Sequence, residues 1–283
     1  MLTINLFNGL VYGTLLIVMC SGLALIYGLR RVVNFAHGSL YMLGAYLGFT
    51  IATHSNFWVA LIAVPAIMAL VGVLLDRYGF RLLQDRDPLT VVLVTFGLLL
   101  VIEDFVQTVW GKGNLSVAVP ELLNTSVSLF GTPVPAYRIA VIAIGAGVAL
   151  GLSLWLRYSR IGLFVRAAST DPTTTAMQGV NTDALSAGVV GLGTALAGLA
   201  GVVAAPFLAL SPSMSSDVLI DSFVVVVIGG LGSLSGAFVA ALVLGLIQSL
   251  GAVYLPDLSA VLPFVLMVAI LLWKPAGFAG SRT

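Results

Sequence analysis

Charged side chains are so sparse along this chain that they divide it into long apolar runs. Residues 1–29 carry no charge, and Arg30 and Arg31 close that run. Residues 32–75 are uncharged apart from His37 and His54, which is too long for one membrane crossing of about 20 residues. His54-Ser-Asn-Phe is the natural turn, so the pattern predicts spans near 32–53 and 57–75. Pro88 opens a further span that reaches Trp110, an interfacial aromatic. A polar, proline-containing stretch covers 111–135, a span covers about 136–156, and the most polar stretch of the chain is 157–183. Spans at 184–210 and about 257–273 flank a short acidic loop, 211–221, and the uncharged run 222–256. As one helix that 35-residue run is about 52 Å long against a membrane core of about 30 Å. Gly229, Gly230, Gly232 and Gly236 crowd its first half (GGLGSLSG), which predicts a broken helix or a re-entrant element. The pattern therefore predicts an all-α, polytopic transmembrane bundle of about eight spanning helices plus broken glycine-rich segments, organised as one domain over 1–283. The first segment lacks a basic start and is longer than a signal peptide's apolar region, so it is expected to be a retained helix.

Composition narrows the function classes. Of 283 residues, 60% are hydrophobic and 8% charged, whereas soluble domains are about 25% charged. A net charge of +1 leaves no basic footprint for nucleic acid. The single cysteine, Cys20, excludes an internal disulfide and a cysteine zinc cluster. Neither lysine is followed by Ser or Thr, so there is no ATP-binding P-loop, and no catalytic or metal-binding motif is present. Neither a catalytic residue, a metal nor a resident cofactor is expected. With 30–31, 76–87, 157–183 and 274–283 placed on the cytoplasmic side, ten of the twelve basic residues sort there.

Four groups of residues are candidates for function. In 157–183, Phe164, Val165 and Ala168 give an apolar side. Pro172 opens a second short helix capped by Asp171, Gly179 ends it, and Asn181 caps the next. This stretch, with Arg160, Gly162, Arg166, Ala167, Asp171 and Gly179, is either a surface loop or a docking element for a soluble partner. Asn34 and His37, followed by Gly38, must face protein or a water cavity, because lipid offers them no partners. Ser233 joins Gly229–Gly236 as a candidate helix break lining a pathway. Glu103 and Asp104, the acidic pair inside a span, either line a pathway or form a structural clasp, for which Arg138 is the plausible basic partner. Small residues recur every four positions at Gly193, Ala197, Gly201 and Ala205, and again at Ala143, Gly147 and Gly151, as faces for close helix contact.

Three stretches together resemble one family. VVNFAHGSLYMLGAY, RYSRIGLFVRAASTDP with the following GVN, and VVVVIGGLGSLSGAFVAALVLGLIQ are similar to the permease subunit of bacterial branched-chain amino-acid ABC transporters. The Asn-Phe-Ala-His-Gly form resembles one of the two paired permeases of that system. The resemblance implies a multi-pass protein of the bacterial inner membrane, surrounded by lipid. It implies as partners a second permease subunit, two cytoplasmic ATPase subunits that use the ATP, and an extracytoplasmic binding protein. It also makes Asn34–Gly48 and Val224–Gly236 counterparts in an internal pseudo-repeat. Glu103-Asp104 stands where that family often carries a neutral amide pair, which leaves urea, amides or other amino acids open as substrates. A self-contained channel or secondary transporter is the alternative, and it requires ion-coupling groups near mid-membrane.

Overall fold

The computed structural model describes residues 2–32, 34–83, 86–129 and 132–279. The ends of the expected single domain, at residue 1 and 280–283, lie outside them. Among the described residues, the runs between charges fold into eleven α-helices: α1 (Leu2–Arg30), α2 (His37–His54), α3 (Phe57–Tyr78), α4 (Pro88–Trp110), α5 (Ala136–Tyr158), α6 (Arg160–Thr170), α7 (Pro172–Met177), α8 (Thr182–Ala204), α9 (Met214–Gly229), α10 (Leu234–Tyr254) and α11 (Leu262–Trp273). An antiparallel hairpin, β1 (Ser126–Leu129) and β2 (Thr132–Pro135), stands in the polar stretch before α5. Its alternation is too short to be seen in the sequence.

Helix boundaries follow local chemistry. Asn56 accepts from the Val59 N–H at 2.9 Å and starts α3, and Asp87 caps α4 ahead of Pro88. Both satisfy orphan N–H groups that lipid leaves bare. Among the described helices, six are long and apolar enough to cross a membrane: α1, α3 with its following turn, α4, α5, α8 and α10. Helices α2, α9 and α11 have 18, 16 and 12 residues, so the expected spans at 32–53 and 257–273 are shorter than the runs that suggested them. The expected acidic loop 211–221 is corrected as well. Helix α9 starts at Met214, so Asp217 and Asp221 are helical.

The packing reveals an inverted repeat. Helix α1 lies along α10, and α8 lies along α3. Each of α1 and α8 is followed by a short helix (α2, α9) and then by the helix that packs on the other's first helix (α3, α10). Helices α1 and α8 cross where Gly22 and Gly193 face each other's carbonyls. They cross in opposite directions, since α1 ends and α8 begins beside α6. The entry to α2 therefore corresponds to 205–213, and the Gly229–Gly236 turn corresponds to the α2–α3 turn. The two glycine-rich segments are thus not counterparts. One apolar core joins α1, α2, α3 and α8, and a second joins α1, α9 and α10. Of the two small-residue stripes, Gly193 and Gly201 meet α1 and α2, whereas Gly147 and Gly151 have nothing within 4 Å. On α5 it is Gly145 that packs, against Thr14 of α1.

Candidate functional site

The end of the bundle that carries Arg30, Arg31, Arg157 and Arg166 holds the α6–α7 element. Ser159 accepts from the Gly162 N–H at 2.8 Å, which starts α6 directly beneath α5. A side chain at Gly162 would lie 2.5 Å from the Trp155 and Leu156 carbonyl oxygens, so only glycine permits this fold-back. Val165 and Ala168 bury against the bundle, while Phe164 is 39% exposed and belongs to another side of the helix than expected. Arg160, Arg166, Ala167 and Asp171 are exposed. Asp171 caps α7 through the Thr174 N–H at 3.0 Å. The Thr174 hydroxyl and then its N–H hold the Asp171 carboxyl below its usual range, which keeps the acceptor ionised at neutral pH. Gly179 takes φ +83°, and Asn181 caps α8 at 2.9 Å. Arg31, itself at φ +52°, donates to the Ser169 and Thr170 carbonyls at 3.2 and 3.3 Å and so tethers the end of α6 to α1.

Tertiary packing brings α6 to the glycine-rich turn. A cleft of about 540 Å³ runs between Arg157, Arg166, Ser169 and Thr170 on one wall and Gly28, Gly232 and Ser235 on the other. The turn is tight because Gly230 and Gly232 take φ +96° and +83°, a region that costs other residues strain. Ser233 then caps α10 through the Gly236 N–H at 3.2 Å. The helix break is present, and it sits at the arginine-bearing end of α1, beside Gly28. Cysteine at Ser235, in a Cys20→Ala background, is expected to react with small water-soluble thiol reagents. Complete protection in every transport state would show the cleft to be closed.

Asn34, His37 and Gly38 form a separate group. Asn34 is 1% exposed, and its side-chain oxygen accepts from the Ala36 N–H at 3.0 Å. This turn starts α2 inside the bundle. The His37 Nε2 lies 3.1 Å from the Met19 carbonyl, so Nε2 donates and Nδ1 carries the lone pair. Met19 is eleven residues from the end of α1, about 16 Å above it. Gly38 lets α2 touch the Ser215 carbonyl of α9.

The acids sit apart from Arg138. Ser215 donates to the Glu103 carboxylate, and Asp104 is exposed. Arg138 instead donates to the Asn8 side-chain oxygen, so the expected clasp is replaced by two separate polar contacts. The acid that the sequence reading missed is Asp221. Its oxygens accept from Tyr12 at 2.5 Å and from Gln248 at 2.8 Å, joining α9 to α1 and α10. An acidic residue before a long apolar run looked like loop, and only the start of α9 at Met214 places it inside.

Residues 5–271 match the family described as branched-chain amino acid transport system / permease component. The chain is 28% identical to the high-affinity branched-chain amino acid transport system permease protein LivH of Escherichia coli K12, over 98% of this chain and 94% of that protein. It is 28% identical to the permease protein BraD of Pseudomonas aeruginosa, over 98% and 95%. It is 24% identical to a probable LivH of Methanocaldococcus jannaschii, over 96% and 91%. No solved structure matches.

Proposed function

The chain belongs to the family of branched-chain amino acid transport permease components, and from that premise we propose that it is one permease of an ATP-driven importer. As a multi-pass membrane protein with six long apolar helices among its described residues, it supplies half of a translocation pathway in the cell (inner) membrane. Its single permease domain, 1–283, pairs with a second permease subunit. Two cytoplasmic ATPase subunits dock on α6–α7 and use the ATP, and an extracytoplasmic binding protein delivers the substrate at the other end. The substrate is a branched-chain amino acid or a related small solute. The chain carries no reaction of its own.

The observation that carries this reading is the α6–α7 element. It is a pair of short capped helices that exposes Ile161, Leu163, Phe164 and Met177 beside three arginines, Arg157, Arg160 and Arg166. Apolar tips ringed by charge suit a protein partner better than lipid. Hydrolysis in the partner moves α6, and Arg31 passes the displacement to α1. Arg166→Glu and Ala167→Pro are expected to lower uptake per ATP by about tenfold or more, since proline breaks an interior helix at roughly 3 kcal/mol. Both variants are expected to reach the membrane at normal levels. Unchanged transport in vesicles carrying either variant would sink the docking role.

A further inference from the structure

We propose that Asp221 recognises the ammonium end of the substrate, in a hydrated seam between α1, α2 and α9. The inference rests on the importer reading and names the group within it that meets the solute. Tyr12 is ten residues into α1, about 15 Å, and Gln248 is six residues from the end of α10, about 9 Å, so Asp221 lies well within the membrane depth. A carboxylate there faces a water-filled or protein-filled space, because lipid offers it no partner. Among the described residues, neither ion pair of the structure involves Asp221, so its charge is uncompensated. Each of its oxygens takes one protein hydrogen bond, and a carboxylate has about four acceptor sites, which leaves capacity for a bound cation.

A second observation points to a polar occupant. The His37 Nδ1 and the Tyr41 hydroxyl are fully buried and have no protein partner. They are four residues apart on one face of α2, and the His37 Nε2 and the hydroxyl of Ser222, the residue after Asp221, both reach Met19 of α1, at 3.1 and 3.3 Å. Buried polar atoms of this kind are satisfied by water or ligand. Asp217, one turn before Asp221, is exposed on the same side of α9, beside Ile220 and Phe223. A strip of helix bearing two carboxyl groups is disfavoured as a lipid face, because lipid offers them no hydrogen-bond partner. A zwitterion crossing here offers its ammonium to Asp221, and a free acid is repelled.

The test is charge-selective labelling of the full chain in membrane vesicles. Ile220→Cys, in a Cys20→Ala background, is treated with methanethiosulfonates bearing trimethylammonium or sulfonate. The cation is expected to react faster than the anion by about tenfold or more, from Coulomb attraction at about 5 Å in water. Asp221→Asn, which retains an acceptor for Tyr12, is expected to remove most of that preference, and Asp221→Glu is expected to keep it. Asp221→Ser serves if the asparagine variant is lost from the membrane. An amino-acid substrate is expected to slow the cationic reagent. No labelling of the introduced thiol, or a preference that survives the loss of the charge, would overturn the assignment. The labelling ratio needs no transport, so a chain that imports no amino acid but keeps the ratio would count against the importer reading alone.

Discussion

Asp76→Asn is expected to destabilise the bundle by about 3–5 kcal/mol, the cost of leaving one partner of a buried ion pair alone. Asp76 is fully buried near the end of α3, and its Oδ1 lies 2.7 Å from the Arg30 guanidinium. Ser186 of α8 donates to the same oxygen at 2.9 Å, so a single carboxylate joins α1, α3 and α8. Asparagine keeps an acceptor for Ser186 and deletes the charge opposite Arg30. Thermal unfolding in detergent, followed by retention of soluble monodisperse protein, reads the loss. The double variant Arg30→Met, Asp76→Leu is expected to recover most of it, because removing both charges also removes the desolvation cost. Asp183→Asn is the contrast. The Arg81–Asp183 pair spans 3.5 Å with side chains 37% and 54% exposed, and solvent screening leaves such pairs worth about 0–1 kcal/mol. Equal stability of Asp76→Asn and wild type would show that the three-helix junction does not depend on the pair.

Gly236→Val is expected to have a larger effect still and to leave little folded protein. A side chain at Gly236 would overlap the Gly229 carbonyl, and one at Gly229 would come within 2.5 Å of the Ala237 nitrogen. Ordinary overpacking costs about 1–3 kcal/mol because side chains can shift. Here the obstacle is backbone on both sides, so relief requires α9 and α10 to separate at the turn that defines the second repeat. Gly147→Ala, by contrast, meets nothing within 4 Å, and the helix preference for alanine makes it neutral or stabilising by about 0.5–1 kcal/mol. Membrane yield and thermal stability of the two variants separate these outcomes. Comparable yields would mean that the glycine turn tolerates a wider crossing.

The contrast between Gly236 and Gly147 also shows how far the sequence could be read. Both glycines lie in apolar helices, Gly147 in a stripe of small residues four apart and Gly236 in the GGLGSLSG cluster. Spacing alone made Ala143, Gly147 and Gly151 as good a contact face as Gly193, Ala197 and Gly201. Which stripe finds a neighbour depends on the rotation of each helix about its axis, and that is set by partners distant in the chain. Arg138 illustrates the same limit. It stands at the outer start of the span that follows Glu103 and Asp104, which made it their plausible partner, yet in space it meets Asn8, because α5 packs beside α1. The caps, in contrast, were legible residue by residue. Asp171, Pro172, Gly179 and Asn181 act within three or four positions, so the chemistry of each cap is contained in the local sequence.

By itself, the sequence determined that this chain is helical and membrane-embedded, because its long uncharged apolar runs suit spanning helices, whereas barrel strands alternate in polarity over about ten residues. It also determined the helix ends marked by caps, prolines and glycines, as at Asp87, Asp171, Gly179 and Asn181, and the sorting of ten of the twelve basic residues to one side. The tertiary structure alone decided that α1–α3 and α8–α10 form an inverted repeat. It also decided that the glycine-rich turn shares a cleft with α6, and that Asp221 stands between Tyr12 and Gln248. The physical reason is separation along the chain. Tyr12 and Asp221 are 209 residues apart, and no local propensity encodes a contact that forms only when close-packed glycines bring the helices together.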